Sequence, residues 1–358
     1  MPTQTELRYA IDSFLSGPEL RAAINRAPEL SRRYREERSR HKRPFAASRE
    51  DALAYALTRM PATYGAVCEA LKQTLRTLRT LRALRTPQFS QTDNAFPELK
   101  TLLDVGAGTG AASWAARGLL DLENIICLER GRDMADTGKA LSQYAPGALK
   151  NARWVLADIT ETALEPLTAD IVIAAYTLNE ISEPRREEAA LKLWRAAREM
   201  LLIVEPGTPD CFRQLKDIRL TLQNEGAYIA APCPLAAGKS PCPLPGNDWC
   251  HFSARVERSK AHKQAKNGGA PYEDEKFCYL ALLKNPPHED VYTETGGAYA
   301  GARYYARVLR HPIKHKGHIR LSLCADGGIS EQTITRGSGE AYSEAKKASW
   351  GDAVGFTR

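Results

Sequence analysis

Apolar positions recur every three or four residues through AIDSFLSGPELRAAINRA (10–27) and SREDALAYALTRMPATYGAVCEALKQTLRTL (48–78). That spacing predicts a helical N-terminal region over 1–99, with Ser48 and, three positions on, Asp51 as a helix-entry cap. The dense basic run SRRYREERSRHKR (31–43) suits a solvated helix face or a phosphate-binding arm. At residue 100 the period changes. KTLLDVGAGTGAASWAARGLL reads as a buried strand, a glycine turn and a helix, and ENIICLER, ARWVLADI, ADIVIAAYTLNEI and MLLIVEPG read as further strands. The run EPRREEAALKLWRAAREM between the last two reads as a helix. Alternation of this kind predicts an α/β fold with a doubly wound parallel sheet. Its core lies at 100–210, within a domain spanning 100–230.

Residues 231–250 hold five prolines and cannot form regular structure. Beyond them EKFCYLALLK, ARYYARVLR, GHIRLSLC and ISEQTITR predict strands, with a Gly327–Gly328 turn before the last. The closing residues read as short, polar and basic. The region 231–358 is thus a β-rich extension that carries cysteines. No internal repeat is visible.

Of 358 residues, 43% are apolar and 26% charged, the balance of an ordinary globular protein. No 18-residue apolar stretch exists, so no membrane helix is expected. The N-terminus lacks the layout of a secretion signal. A cytoplasmic, monomeric chain with no membrane partner is expected. The net charge of +7 is unevenly spread. Residues 1–99 carry 17 Lys/Arg against 11 Asp/Glu, residues 100–250 carry 16 against 20, and residues 251–358 carry 17 against 12. Two basic flanks around an acidic middle suit a polyanionic partner held by the flanks, although a modest basic excess also serves solubility.

The stretch Leu103-Asp104-Val105-Gly106-Ala107-Gly108-Thr109-Gly110 sets three glycines where a strand becomes a helix. Their spacing is G-x-G-x-G, whereas a dinucleotide fingerprint is G-x-G-x-x-G. Glu129 ends the next strand, where a carboxylate can accept from ribose hydroxyls, and Asp158 ends the third, within reach of an adenine amino group. The same glycines could serve only tight strand–helix packing. This combination resembles the class I S-adenosylmethionine methyltransferases, which implies a Rossmann-like core and a cofactor site at Asp104, Gly106, Ala107, Gly108, Gly110, Glu129, Asp158 and Tyr176. Methyl transfer asks mainly for alignment of the acceptor. Asn179 and Glu180, after the fourth strand, are candidates to polarise one, and a structural role in the turn is equally open. The Asn/Asp-Pro-Pro-aromatic tetrad of nucleic-acid amino-methylating enzymes is absent.

Cys233, Cys242 and Cys250 are too widely spaced for a zinc knuckle and suit an iron–sulfur cluster better, with Cys324, Cys278 or, more weakly, His251 as fourth ligand. Buried free cysteines are the alternative.

Several strings between residues 52 and 352 then agree. ALAYALTRMPATYGAV, LLDVGAGTGAASWAA, YTLNEIS, LLIVEPGTPDCF, DWCHFSARVERS, EDEKF, GHIRLSLCADG and YSEAKKASWGD resemble the methyltransferase-like small-ribosomal-subunit assembly factors known from mitochondria, with bacterial relatives. The missing transit peptide points to a bacterial member. The resemblance implies binding of small-subunit rRNA beside ribosomal proteins. It also implies a 4Fe–4S cluster on Cys233, Cys242, Cys250 and Cys324, with zinc as the lesser occupant and Cys278 dispensable. Arg303, Arg307, Arg310, Lys314, Lys316 and Arg320, with Tyr304 and Tyr305, would meet RNA phosphates and bases, although an ordinary exposed hairpin also accounts for them. Two functions fit: an assembly factor that holds S-adenosylmethionine, if at all, as a structural ligand, and an active rRNA methyltransferase.

Overall fold

The computed structural model describes residues 2–36, 48–83, 98–233, 242–286, 303–325 and 328–357. The N-terminal helices are α1 (Pro2–Phe14), α2 (Gly17–Glu36), α3 (Arg49–Thr58) and α4 (Met60–Ala83). There follow β1 (Thr101–Val105), α5 (Ala111–Arg117), β2 (Asn124–Glu129), α6 (Arg132–Ser142), β3 (Arg153–Leu156), β4 (Ala169–Ala175), α7 (Glu183–Ala196) and β5 (Ala197–Pro206). Next come α8 (Pro209–Asn224), β6 (Tyr228–Ala231), β7 (Phe252–Glu257), α9 (Lys260–Ala265) and β8 (Tyr272–Leu283). The chain closes with β9 (Arg303–Val308), β10 (Ile313–His315), β11 (His318–Ala325), β12 (Gly328–Thr335), α10 (Glu340–Lys347) and β13 (Ala353–Thr357). No described helix is long and apolar enough to cross a membrane. Two units can be distinguished: Met1–Glu69 with Leu99–Pro206 and Ser253–Phe277, and Ala70–Glu98 with Gly207–Phe252 and Cys278–Arg358.

The first unit is built on parallel strands in the order β3-β2-β1-β4-β5. Leu102, Leu103, Ile171–Ala174 and Leu201–Val204 are all buried, the continuous apolar run expected of strands covered on both faces. The expected α/β core is therefore present. Ser48 caps α3 by accepting the Asp51 amide at 3.2 Å. Asp51 itself is buried and accepts from Arg26 Nε at 2.6 Å. Most of the basic run 31–43 lies outside the described residues.

In the second unit β6 pairs antiparallel with the Ala281–Leu283 end of β8. An antiparallel sheet runs β10-β11-β9-β13, and β12 pairs with β11. Ala306, Val308, Ile319, Leu321, Leu323, Ile334, Ala345, Ala348 and Val354 form its core. The closing residues are not the plain polar tail that the sequence suggested: α10 packs its buried Ala345 there and β13 lies along β9. Gly327 lies outside the described residues, as do residues 234–241 of the proline-rich segment.

Candidate functional site

The first unit holds a cavity of about 560 Å³ at the carboxyl ends of its parallel strands, a size suited to a small organic ligand. The chain leaves β1 through Gly106, whose amide donates to Leu128 O at 2.8 Å. Gly106 has φ +68°, and a Cβ there would stand 2.4 Å from Thr177 Oγ1. Gly108 (φ +57°) and Gly110 (φ +87°) continue the turn into α5. A side chain at Gly106 would have to displace Thr177, which donates to Val105 O at 3.1 Å. The turn therefore needs glycine for both conformation and space.

Glu129 fixes this turn from below. One carboxylate oxygen accepts the Gly108 amide at 2.8 Å and the other accepts the Gly131 amide at 2.7 Å. Asp158 folds its own loop by accepting from Thr160 N and Oγ1 at 2.8 and 2.7 Å, and its second oxygen faces Arg130 at 3.7 Å. These hydrogen bonds and the nearby Arg130 and Arg185 hold the Asp158 carboxyl below its ordinary value against its partial burial. Arg130 also reaches Glu180 at 3.3 Å, so its guanidinium links the loops after β2, β3 and β4.

Gly106, Gly108, Glu129, Asp158, Tyr176, Asn179 and Glu180 all line the cavity. Asp104, Ala107 and Gly110 are not among its lining residues. Asp104 is buried behind it and accepts Ser113 N and Oγ at 2.9 and 2.7 Å, tying β1 to α5. Burial raises its carboxyl to about 7. Tyr176 adopts the left-handed conformation, φ +59°, rare for a side chain of that size. Its hydroxyl donates to Glu275 at 2.8 Å, and Arg59 pairs with the same carboxylate at 3.1 Å. Asn179 Oδ1 is buried and accepts no hydrogen bond among the described residues.

Sequence reasoning missed part of this wall. Tyr55 of α3, Arg59 at its end and Thr63 of α4 line it, where the sequence shows only helical period. It also missed Glu205, buried at the end of β5, whose Oε1 accepts the Leu178 amide at 2.9 Å and so holds the turn that carries Asn179. Burial raises its carboxyl to about 8 against the lowering effect of the Leu178 and Asn179 amides. An acid at the close of an apolar strand was the available signal.

The second unit gathers Cys233, Cys242, Cys250 and Cys324 around one cavity, which Cys278, Arg219 and Arg307 also line. The four come from the end of β6, the proline-rich segment and β11. Burial and mutual repulsion push the thiols of Cys233, Cys250 and Cys324 upward, Cys324 to about 12, while Arg307 pulls each of them down. Among the described residues no three His, Cys, Asp or Glu side chains close on a common point as one metal ion requires. His251 instead stacks on Trp249 at 4.8 Å.

The basic patch needs correction. Arg307 is 1% exposed and faces inward, so it cannot meet RNA. Arg310 is half-buried and its guanidinium bonds both oxygens of Asp248, at 2.5 and 2.6 Å. Arg307 is held inside by backbone and hydroxyl acceptors on distant segments and Arg310 is engaged by a nonlocal acid, neither of which a charge count registers. Lys314, Lys316 and Arg320 are exposed, beside His315 and His318 stacked at 4.7 Å. The side chains of Arg303, Tyr304 and Tyr305 lie outside the described residues.

The strand order, the glycine turn and the two strand-end acids define a methyltransferase-like α/β protein of the Rossmann-like class I architecture. Residues 49–355 match the family described as "Mitochondrial small ribosomal subunit Rsm22", and the chain belongs to that family. It is 26% identical over 294 residues to the human mitochondrial ribosome assembly protein METTL17, a match covering 74% of this chain and 59% of that protein. It is 22% identical over 220 residues to the mitochondrial Rsm22-cox11 tandem protein 2 of Schizosaccharomyces pombe, covering 51% of this chain and 28% of that one. The chain thus spans under two thirds of the length of either relative. Among solved structures, magnesium protoporphyrin IX methyltransferase from Synechocystis, with bound SAH, is 14% identical with a TM-score of 0.35, covering 61% of this chain and 84% of that one.

Proposed function

We propose that this protein is an assembly factor of the small ribosomal subunit. On this reading it binds S-adenosylmethionine in its first unit, holds a 4Fe–4S cluster in its second, and grips rRNA through exposed basic residues. The observation that carries the reading is the extent of the family match, residues 49–355, which takes in both sites.

The residues of each site suit the ligand assigned to it. Gly106 and Gly108 leave the backbone bare where a ligand would lie close, and Asn179 Oδ1 is a buried acceptor awaiting a donor. Glu129 would take ribose hydroxyls, Asp158 the adenine amino group, and Tyr176 would close the acceptor side. When bound, S-adenosylmethionine supplies an activated methyl group. The chain's part is to hold it, to keep the Leu178–Glu180 turn in place through Glu205, and to orient an acceptor with Asn179. Glu180 is less suited to that task because Arg130 already engages it.

Four thiols around one cavity, approached from separate segments and flanked by two arginines, form a donor set suited to an anionic multi-iron body. Cys233, Cys242, Cys250 and Cys324 would hold it, and the arginines would offset its charge. Lys314, Lys316 and Arg320 on the β10–β11 hairpin would contact phosphates.

Co-sedimentation of the anaerobically purified chain with isolated small ribosomal subunits tests the role, and calorimetry with S-adenosylhomocysteine tests the pocket. Comigration with small but not large subunits, and one nucleoside bound per chain, are expected. Absence of comigration removes the ribosomal role, and absence of heat removes the cofactor.

A further inference from the structure

Arg307 is among the largest fully buried side chains of the protein. A buried guanidinium persists only where its donors are matched and its charge is answered. Its donors are spread over three segments. Nε donates to Pro232 O at 2.8 Å, Nη1 to Gly351 O at 2.7 Å, and Nη2 to Thr77 Oγ1 at 2.8 Å. Pro232 immediately precedes Cys233. On the β9–β11 ladder Arg307 is also the cross-strand partner of Cys324. One residue is thus hydrogen-bonded next to the first cysteine of the set and faces the last, 91 residues further along the chain. It lines the cavity that all four cysteines share.

The geometry points to Arg307 as the positioning residue of the cysteine site: it sets the spacing between the Cys233 and Cys324 segments and places a fixed positive charge against their sulfurs. The inference rests on the reading of this cavity as a metal-cluster site. Thr77 takes part because its hydroxyl donates to Gln73 O at 2.8 Å and can accept from Arg307 on its other side. That fixes the guanidinium against α4. Gly351 takes part because its φ of +91° and a Cβ position 2.2 Å from Gln73 Nε2 leave no room for a side chain there. A lysine at 307 would keep the charge and lose the three-way fork, because an ammonium lacks the planar donor array.

The experiment compares the full-length wild type with Arg307→Lys, Arg307→Met and Thr77→Val. Iron and acid-labile sulfide per chain are measured after anaerobic reconstitution, with the rate of cluster release to a chelator. The rate at which iodoacetamide alkylates Cys233 and Cys324 in the apo chain is read by mass spectrometry. Calorimetry with S-adenosylhomocysteine, which reports on the first unit, and a thermal melt show which variants are folded. Release about tenfold faster is expected for Arg307→Lys, the usual scale for a residue supporting metal ligands, with a smaller rise for Thr77→Val and little loading for Arg307→Met. A folded Arg307→Met chain, or a folded Thr77→Val and Arg307→Lys pair, that loads and releases like wild type overturns the inference. If wild type takes up no iron, the cluster reading has failed, and alkylation decides the positioning role. Faster modification of Cys233 and Cys324 in the folded variants supports it, and unchanged rates overturn it.

Discussion

Glu129 Oε2 accepts the backbone amide of Gly108 at 2.8 Å, so the acid assigned to a ribose is also what holds the glycine turn in shape. Its other oxygen accepts Gly131 N. The carboxylate joins two backbone segments before any ligand arrives, which is the preorganisation a nucleoside site needs.

Replacing Glu129 by Ala should therefore act twice. The Gly108 amide loses its acceptor, at about 1–3 kcal/mol of stability. S-Adenosylhomocysteine affinity should fall by at least about tenfold, one lost charge-assisted hydrogen bond. Thermal melting and calorimetry on one preparation check both. A stable variant of unchanged affinity would show that the pocket does not take a ribose at Glu129.

Glu205 carries a pH signature. Its carboxyl is raised to about 8 in the folded chain from an ordinary 4.5, chiefly by burial. The folded state thus binds a proton that the unfolded state releases between these values. The stability it contributes is complete below pH 4.5 and is lost as pH rises toward 8, on the order of a few kcal/mol. Glu205→Gln keeps the shape and removes the titration. Its stability relative to wild type should rise with pH across that window in denaturant titrations; a constant difference would contradict a proton held there.

His262 acts in the opposite sense. It is 2% exposed, and burial lowers its ring from 6.5 to about 4, assisted by Lys266, Arg258 and Arg59 and opposed by Glu273. The unfolded chain takes up the proton first on acidification. The stability is present above pH 6.5 and is lost as pH falls toward 4, on the order of 3 kcal/mol. The stability gap between wild type and His262→Leu should narrow over that range in urea unfolding. A gap independent of pH would place the histidine's protonation elsewhere.

Cys324→Ser should abolish iron and sulfide loading, whereas Cys278→Ser should leave both near the wild-type amount. Cys278 lines the same cavity but sits within β8, away from the three-segment arrangement that Arg307 joins. Metal analysis of the two variants beside wild type decides. Loss of iron from Cys278→Ser, with retention in Cys324→Ser, would exchange their roles.

The strands of the core were legible because a sheet covered on both faces writes long apolar runs into the chain, and Ile171–Ala174 and Leu201–Val204 do so. The glycine turn was legible because Gly106, Gly108 and Gly110 fall at alternate positions where an apolar strand gives way to a helix. The wall contributed by Tyr55 and Arg59, and the support that Glu205 gives the Leu178 turn, were not, since helical period and strand hydropathy record burial and say nothing of which cavity a residue reaches. β13 was missed because AVGFT is too short to announce itself without β9 beside it. Arg307 was misread because a basic residue in a strand is usually exposed. Only the Pro232, Gly351 and Thr77 acceptors, distant in sequence, explain why this one is inside.

The proposal that this chain grips small-subunit rRNA is tested most directly by a salt titration of its binding to purified small-subunit RNA. Three phosphate contacts through Lys314, Lys316 and Arg320 predict a log–log slope of about −2 to −3. The triple alanine variant should bind weakly, with a slope near zero. Tight binding that ignores salt, or a triple variant that binds like wild type, would contradict the claim.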